Sequence, residues 1–386
     1  MKRIAVVVPK YGLVGGGERF AYELTERLSR DDRYEFHVFA NRWKEGAGRV
    51  AFHRVPAVRF PRFLRPLAFA WLSDRMVSRG RFDLVHAHER VFRADVVSLH
   101  SVPHATWVRD VRGKRMSLFD RATDYVERRM AENALHAWHL PVSSIAREAF
   151  LAKYPADPAR VKVVPPGVDV GRFAGPDRAA CRREIRSRHG IGESDLVVLF
   201  VGMNFEVKGL DRVISAVARA GRGTPGTGWR ILVVGRGNEE RYRRVSREAG
   251  IGDSVFFAGL REEGIEKYYR ASDLLMMLST FDTFGMVVLE AMAAGLPVVV
   301  SARVGAKDIV EEGINGFVAS NPEDADAVAE ILSVMADPGV RARFGGEAQR
   351  TASRYTWDRT AEEVARVYDA VASGRGIPQV MDGTRR

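Results

Sequence analysis

Cysteine is nearly missing from this 386-residue chain. Cys181 stands alone, which excludes a disulfide framework and any cysteine-cluster metal site and fits a reducing compartment. No apolar run approaches the ~20 residues that span a bilayer. The apolar start Ile4–Val8 is cut off by Pro9, too early for the core of a signal peptide. Short-period repeats and low-complexity tracts are also missing, which leaves neither a solenoid nor a fibrous chain. What remains reads as a soluble cytoplasmic protein whose length suits roughly two to three domains, each able to bury its own core.

Charge is present in excess, and only in one half. The net charge is +11. Residues 1–170 hold 30 Lys and Arg against 19 Asp and Glu, whereas residues 171–386 hold 30 of each, so the first half carries the whole excess. Within it Arg54, Arg59, Arg62, Arg65, Arg75, Arg79 and Arg81 interleave with Phe60, Phe63, Phe69 and Trp71, opposed only by Asp74. Such a segment either docks on an anionic membrane or nucleic acid, or is a solvated helix whose apolar side is ordinary core.

Two similar halves follow from the periodicities. The first opens with a strand at Ile4–Val8, a glycine turn and a helix near Glu18–Arg30, followed by strands at Glu35–Ala40, Asp83–His86 and Val96–His100. The second repeats the scheme with strands at Leu196–Val201, Arg230–Val234, Val255–Ala258 and Asp273–Met277, and helices at Leu210–Ala220, Glu239–Ala249 and Ile265–Ala271. Alternation of this kind predicts α/β architecture with a doubly wound parallel sheet in each half. A strand running into Val163-Val164-Pro165-Pro166-Gly167 marks the boundary, giving domains over 1–168 and 169–355, a last amphipathic helix over 356–372 and a disordered tail over 373–386.

The most informative segment is Leu278–Ser301, which places Asp282 and Glu290 at the two ends of one loop-and-helix unit. Phe284-Gly285 reads as a tight entry, Met286 to Ala294 as a buried helix, Gly295 and Pro297 as its stop, and Val298-Val299-Val300 as the next inner strand. A helix starting there offers unpaired N–H groups and a positive dipole end to an anion, while Glu290, about two turns in, reaches another part of the same ligand. The bland alternative is a buried helix with a capping acid and one satisfied Glu. The segment resembles the signature of the retaining family-4 glycosyltransferases, a Glu, seven residues and a second Glu, with Asp282 standing in the first position.

That resemblance implies the GT-B fold, two doubly wound Rossmann-like domains facing across a cleft. It implies that Glu290 binds the ribose hydroxyls of a nucleotide sugar, that Asp282 contacts the transferred sugar, and that the amides of Phe284, Gly285, Met286 and Val287 hold the diphosphate. Gly15-Gly16-Gly17-Glu18-Arg19 follows the first strand and lets bare backbone approach a phosphate at a helix start. It matches the family's Gly-Gly-x-Glu-Arg, although Arg19 could equally pair on the surface. In Val201-Gly202-Met203 to Lys208-Gly209, Gly202 closes a strand and Lys208 matches the family lysine that neutralises the departing diphosphate in place of a metal ion. The family's accompanying arginine is replaced by Met203 and Val207, and Arg236 is the candidate for the missing charge.

Histidines gather at strand ends as His86, His88, His100 and His104. Zinc binding is one reading of such spacing. By resemblance His100 instead contacts a donor hydroxyl and His88-Glu89-Arg90 forms an acceptor-side loop, while His86 reads as a satisfied core residue. Val164 to Asp169 and Gly305 to Gly316 are further matches, so the likeness covers residues 1 to about 372, and short motifs such as Gly209-Leu210-Asp211-Arg212 are similar to the lipopolysaccharide-core glucosyltransferases.

The expected function is metal-independent, retaining transfer of a sugar from a nucleoside-diphosphate sugar, a UDP-sugar, to a glycan or glycolipid acceptor. The catalytic candidates are Lys208, Asp282 and His100. The donor contacts are Gly15, Gly16, Gly17, Gly202, Lys208, Asp282, Phe284, Gly285, Met286, Val287 and Glu290. Partners are the donor, the acceptor and an anionic surface at the inner face of the cytoplasmic membrane, with no nucleic acid. A nucleotide-sugar epimerase of the same architecture and a non-catalytic membrane-binding relative are the rivals. A dehydrogenase fits less well, since Gly235-Arg236-Gly237 lacks the third glycine of the dinucleotide pattern.

Overall fold

The computed structural model describes residues 1–13, 15–133, 136–224, 226, 228–261 and 263–373. The expected tail beyond Ser373 lies outside the described residues. The chain divides into two compact units, Met1–Pro166 with the segment from Trp357 onward, and Gly167–Thr356.

In the first unit, β1 (Lys2–Val7) leads through the glycine turn into α1 (Gly16–Leu28). Then come β2 (Tyr34–Ala40), β3 (Val50–Arg54), α2 (Leu64–Arg79), β4 (Leu84–Ala87), β5 (Val96–Leu99), α3 (Leu118–Asn133), β6 (Trp138–Pro141) and α4 (Ser144–Lys153). The strands pair in parallel in the order β3-β2-β1-β4-β5-β6. Ile4 to Val8 is fully buried, as an inner parallel strand covered on both faces must be. The strand order reverses between β1 and β4, and a crevice opens beyond the carboxyl ends of strands at such a point.

The helix Trp357–Ser373 belongs to this unit. It packs on α1, with Trp357 edge-on to Phe20 at 5.6 Å and Asp358 3.0 Å from Arg27. The basic segment Arg54–Arg81 divides between the two readings open to it. Phe69, Ala70, Ser73 and Val77 on α2 are core, whereas Phe60 is 88% and Trp71 55% exposed. Val163 and Val164 form no strand. Lys162 and Val164 each donate one backbone hydrogen bond to β6, at 3.0 and 2.9 Å, before the Pro-Pro pair removes further donors.

The second unit repeats the plan. Its strands are β7 (Leu196–Met203), β8 (Trp229–Arg236), β9 (Val255–Gly259), β10 (Leu274–Met277), β11 (Val298–Ser301) and β12 (Gly316–Ala319). They pair in parallel in the order β9-β8-β7-β10-β11-β12, the same winding as before. The helical turn Phe205–Lys208 and α5 (Leu210–Gly223) follow β7. α6 (Ile265–Ala271) precedes β10, and α7 (Met286–Ala293) connects β10 to β11. α7 is apolar on nearly every side, with Val288, Leu289, Ala291, Met292 and Ala293 buried, so Glu290 is a deliberate exception in a buried helix.

Candidate functional site

The second unit brings Lys208 and Asp282, 74 positions apart, into one ion pair. Local backbone causes this meeting. Gly209 sits in the left-handed region at φ +76°, and a Cβ there would stand 2.1 Å from the Leu278 carbonyl oxygen. Only glycine lets the chain turn here so tightly against the end of β10. Lys208 is thereby held over Gly202, where a Cβ would meet its Cγ at 2.9 Å. The loop after β10 is fixed by backbone bonds from Thr280 to Val207 and from Asp282 to Arg303, 3.0 and 3.1 Å. Both charged side chains are about four-fifths buried, at 24% and 17% exposure, which strengthens their attraction beyond that of a surface pair.

Asp282 makes a second contact: its Oδ1 accepts a 3.2 Å hydrogen bond from the Phe284 amide. Of the amides proposed to cradle a diphosphate, that of Phe284 is thus engaged by Asp282 in this structure. Gly285, at φ +89°, then starts α7 without a side-chain cap, leaving the helix's first-turn N–H groups at Met286 and Val287 without intrahelical acceptors. Five residues into α7, the buried Glu290 accepts a 2.8 Å hydrogen bond from the Tyr269 hydroxyl on α6. A helix end open to an anion and a carboxylate able to accept from hydroxyls therefore lie on one short element. Arg236, the candidate for an extra charge, is exposed at the end of β8 and makes no ion pair among the described residues.

The first unit builds a separate polar pocket at its strand ends, of ≈ 410 Å³, lined by Lys10, Gly17, Glu18, Glu89, Arg90 and His100 among others. Gly15 precedes α1 at φ +145° and Gly16 and Gly17 form its first turn. A Cβ on Gly17 would stand 3.1 Å from the His100 ring, so this glycine admits the imidazole against the helix start. His100 Nε2 lies 3.2 Å from His88 Nδ1 and the rings stack at 11°. His86 is a satisfied core residue, bonded to Tyr368 at 2.7 Å and Ser98 at 2.9 Å. Burial pushes His86 down to about 3 and His100 down to about 4, and pushes His88 well below the usual imidazole range. All three are neutral near pH 7, when a histidine offers one donor and one acceptor to a hydroxyl. His104 stands apart from this group, bonded to Asp120 at 3.0 Å.

The pocket floor holds a network that spacing could not reveal. Arg90 bonds Glu127 on α3 at 3.0 Å and Glu89 at 2.9 Å, and Glu127 also accepts from the His104 amide and the Tyr154 hydroxyl. Tyr269 beneath Glu290 was equally hidden. A hydroxyl 21 positions away on a short helix carries no local pattern. The only sequence signal for the network was His88-Glu89-Arg90 itself.

Known proteins resemble this chain in sequence and fold. Residues 14–172 match the family described as Glycosyltransferase Family 4, and residues 182–351 match Glycosyl transferases group 1. The D-inositol 3-phosphate glycosyltransferase of Geodermatophilus obscurus is 31% identical over 322 residues, covering 78% of this chain and 70% of that protein. The chain spans about half the length of several further relatives of that name. Among solved structures, WaaG, a glycosyltransferase involved in lipopolysaccharide biosynthesis, superposes with a TM-score of 0.78 at 22% identity, covering 95% of this chain and 99% of its own. Anabaena Alr3699/HepE in complex with UDP gives 0.73 at 21%, covering 96% and 100%. These likenesses show the two-domain GT-B fold, and together with the matched sequence they establish that this chain belongs to the family-4 glycosyltransferases.

Proposed function

We propose that the protein transfers a sugar from a UDP-sugar to a glycan or lipid-linked acceptor with retention of anomeric configuration, in the synthesis of a cell-surface polysaccharide or lipopolysaccharide. The observation that carries this reading is in the second domain, where the loop after β7 brings Lys208 to Asp282 on the loop after β10, next in sequence to the open first turn of α7 and the Tyr269-supported Glu290. The Met286 and Val287 amides take the diphosphate and Glu290 takes the ribose hydroxyls. Lys208 neutralises charge as the diphosphate departs, a task that then needs no metal ion. The acceptor hydroxyl attacks the face the diphosphate leaves, and the departing phosphate accepts its proton.

Asp282 sets Lys208 in place and reaches the transferred sugar. Neutral His100 meets a sugar hydroxyl without adding charge. The UDP held by the HepE structure supports uridine as the base, and the name of the Geodermatophilus relative adds a phosphorylated polyol to the acceptor classes worth testing. The exposed Phe60 and Trp71, with Arg75 5.6 Å over the Trp71 ring, support docking of the basic unit on an anionic membrane. The test is a thermal-shift and hydrolysis screen against uridine, guanosine and adenosine diphosphate sugars. Stabilisation by one nucleotide class with slow release of its sugar supports the proposal, and no shift with any of them overturns it.

A further inference from the structure

On the first unit a second concavity, a basin of ≈ 630 Å³, is lined, beside Met116, by the charged residues Arg109, Lys114, Arg115, Arg121, Asp124 and Arg128. Five of these six are cations. The one acid, Asp124, is already offset by Arg128 at 3.3 Å, whereas Arg109, Lys114, Arg115 and Arg121 make no ion pair among the described residues. Four unpaired cations around one hollow repel each other and concentrate a positive potential there. An anion that enters relieves that repulsion.

The basin is preformed. The loop between residues 112 and 117 is pinned by the bond from Lys114 N–H to the Val108 carbonyl, 2.9 Å, and by Asp120, which accepts from the Ser117 amide at 2.9 Å and contacts His104 at 3.0 Å. α3 separates the basin from the polar pocket. Arg121, Asp124 and Arg128 recur at helical spacing along the outer face, while Val126, Glu127 and Met130 are buried, and Glu127 and Met130 line the pocket. The diameter of a helix, about 10–12 Å, stands between the two. A small molecule seated in the pocket does not reach across it, but a chain with repeated anionic groups does.

We propose that this basin binds a phosphate-class oxyanion borne by an extended acceptor, at a distance from the hydroxyl that receives the sugar. Arginine forks and a lysine suit the three oxygens of a phosphoryl group better than a single carboxylate. The assignment to an acceptor rests on the transferase reading, while the anion site itself does not.

The experiment uses the full chain and inorganic triphosphate as probe, followed by calorimetry, with the quadruple variant Arg109→Gln, Lys114→Gln, Arg115→Gln and Arg121→Gln. All four side chains are exposed, and an unchanged melting temperature confirms that the variant folds. Lys208→Ala separates the nucleotide site. The expected result is a triphosphate site, distinct from the nucleotide site of the second unit, that is weakened about a hundredfold in the quadruple variant, unaffected by Lys208→Ala, and weakened by salt. Donor hydrolysis, measured in parallel, stays unchanged in the quadruple variant. If the transferase reading fails, the wild type cleaves no donor, yet the titration still decides the anion site. Equal triphosphate binding in the quadruple variant, or loss of binding with Lys208→Ala, overturns the proposal. So does binding to phosphatidylglycerol vesicles that depends on these four residues without any triphosphate binding, which makes the basin a lipid contact instead.

Discussion

Replacing Lys208 by Ala removes the cation that the second unit pairs with Asp282 on its carboxylate loop. Two charges about 4 Å apart at a partly screened site interact by about 4 kcal/mol. Lys208 keeps 24% of its side-chain surface in solvent, so about 3 kcal/mol is the larger part that survives screening against a departing diphosphate. At 1.36 kcal/mol per factor of ten, turnover should fall by about two to three orders of magnitude, the range seen when a preorganised charge-stabilising group is removed. Donor affinity should fall less, because free Lys208 must leave Asp282 before it can serve the phosphate. Single-turnover donor cleavage gives the rate and a separate titration gives the affinity. Lys208→Arg, which keeps the charge, should recover part of the rate. If Asp282 acts mainly by holding Lys208, Lys208→Ala with Asp282→Asn is no slower than Lys208→Ala alone. Turnover within a few-fold of wild type in Lys208→Ala would show that Lys208 does not face the departing diphosphate and would move the leaving-group site to another loop.

Glu290→Gln keeps the contact with Tyr269 but removes the charge that strengthens bonds from two ribose hydroxyls, so nucleoside diphosphate binding should weaken by about 1.5–3 kcal/mol by calorimetry, and unchanged affinity discards the ribose assignment. The buried His86, His88 and His100 bind protons more weakly folded than unfolded, so below about pH 6.5 the unfolded chain takes up protons that the native first unit refuses, and stability falls as pH drops toward the folded values. Each histidine contributes a slope of about 1.4 kcal/mol per pH unit over that window; urea unfolding at pH 7 and pH 5.5 should show it, and equal stability at both would mean these rings are hydrated. Co-sedimentation should find the protein on anionic but not neutral vesicles at low salt, and Trp71→Ala with Arg75→Ala should weaken it; equal recovery with both vesicle types returns α2 to an ordinary solvated helix.

The parallel winding of both units was legible because inner strands such as Ile4–Val8 and Val298–Val300 are continuous apolar runs bounded by turn residues. Of the outer strands only β9, expected at Val255–Ala258, was legible; β3, β6 and β12 were not. β3 is a half-exposed edge containing His53 and Arg54, and β6, though buried throughout, is only four residues, interrupted by His139 and ending in Pro141; neither sequence reads as a continuous apolar run or a clean alternation. The placement of Gly285 and Glu290 on one loop-and-helix unit, and of Lys208 at the turn after a strand, followed from spacing, because the helix start and stop residues are local. The contacts of Lys208 with Asp282, Glu290 with Tyr269 and Arg90 with Glu127 are long-range, and sheet order, which no local pattern encodes, creates them.

Retaining transfer from a nucleotide sugar is tested most directly by watching the anomeric proton of the first sugar released from the preferred α-linked donor. Proton NMR at low temperature, taken before mutarotation, distinguishes the two anomers. Retention gives the α-anomer from wild type, with a hundredfold or greater slowing in Lys208→Ala; first release of the β-anomer, or cleavage that Lys208→Ala leaves untouched, rules out retaining transfer at this site.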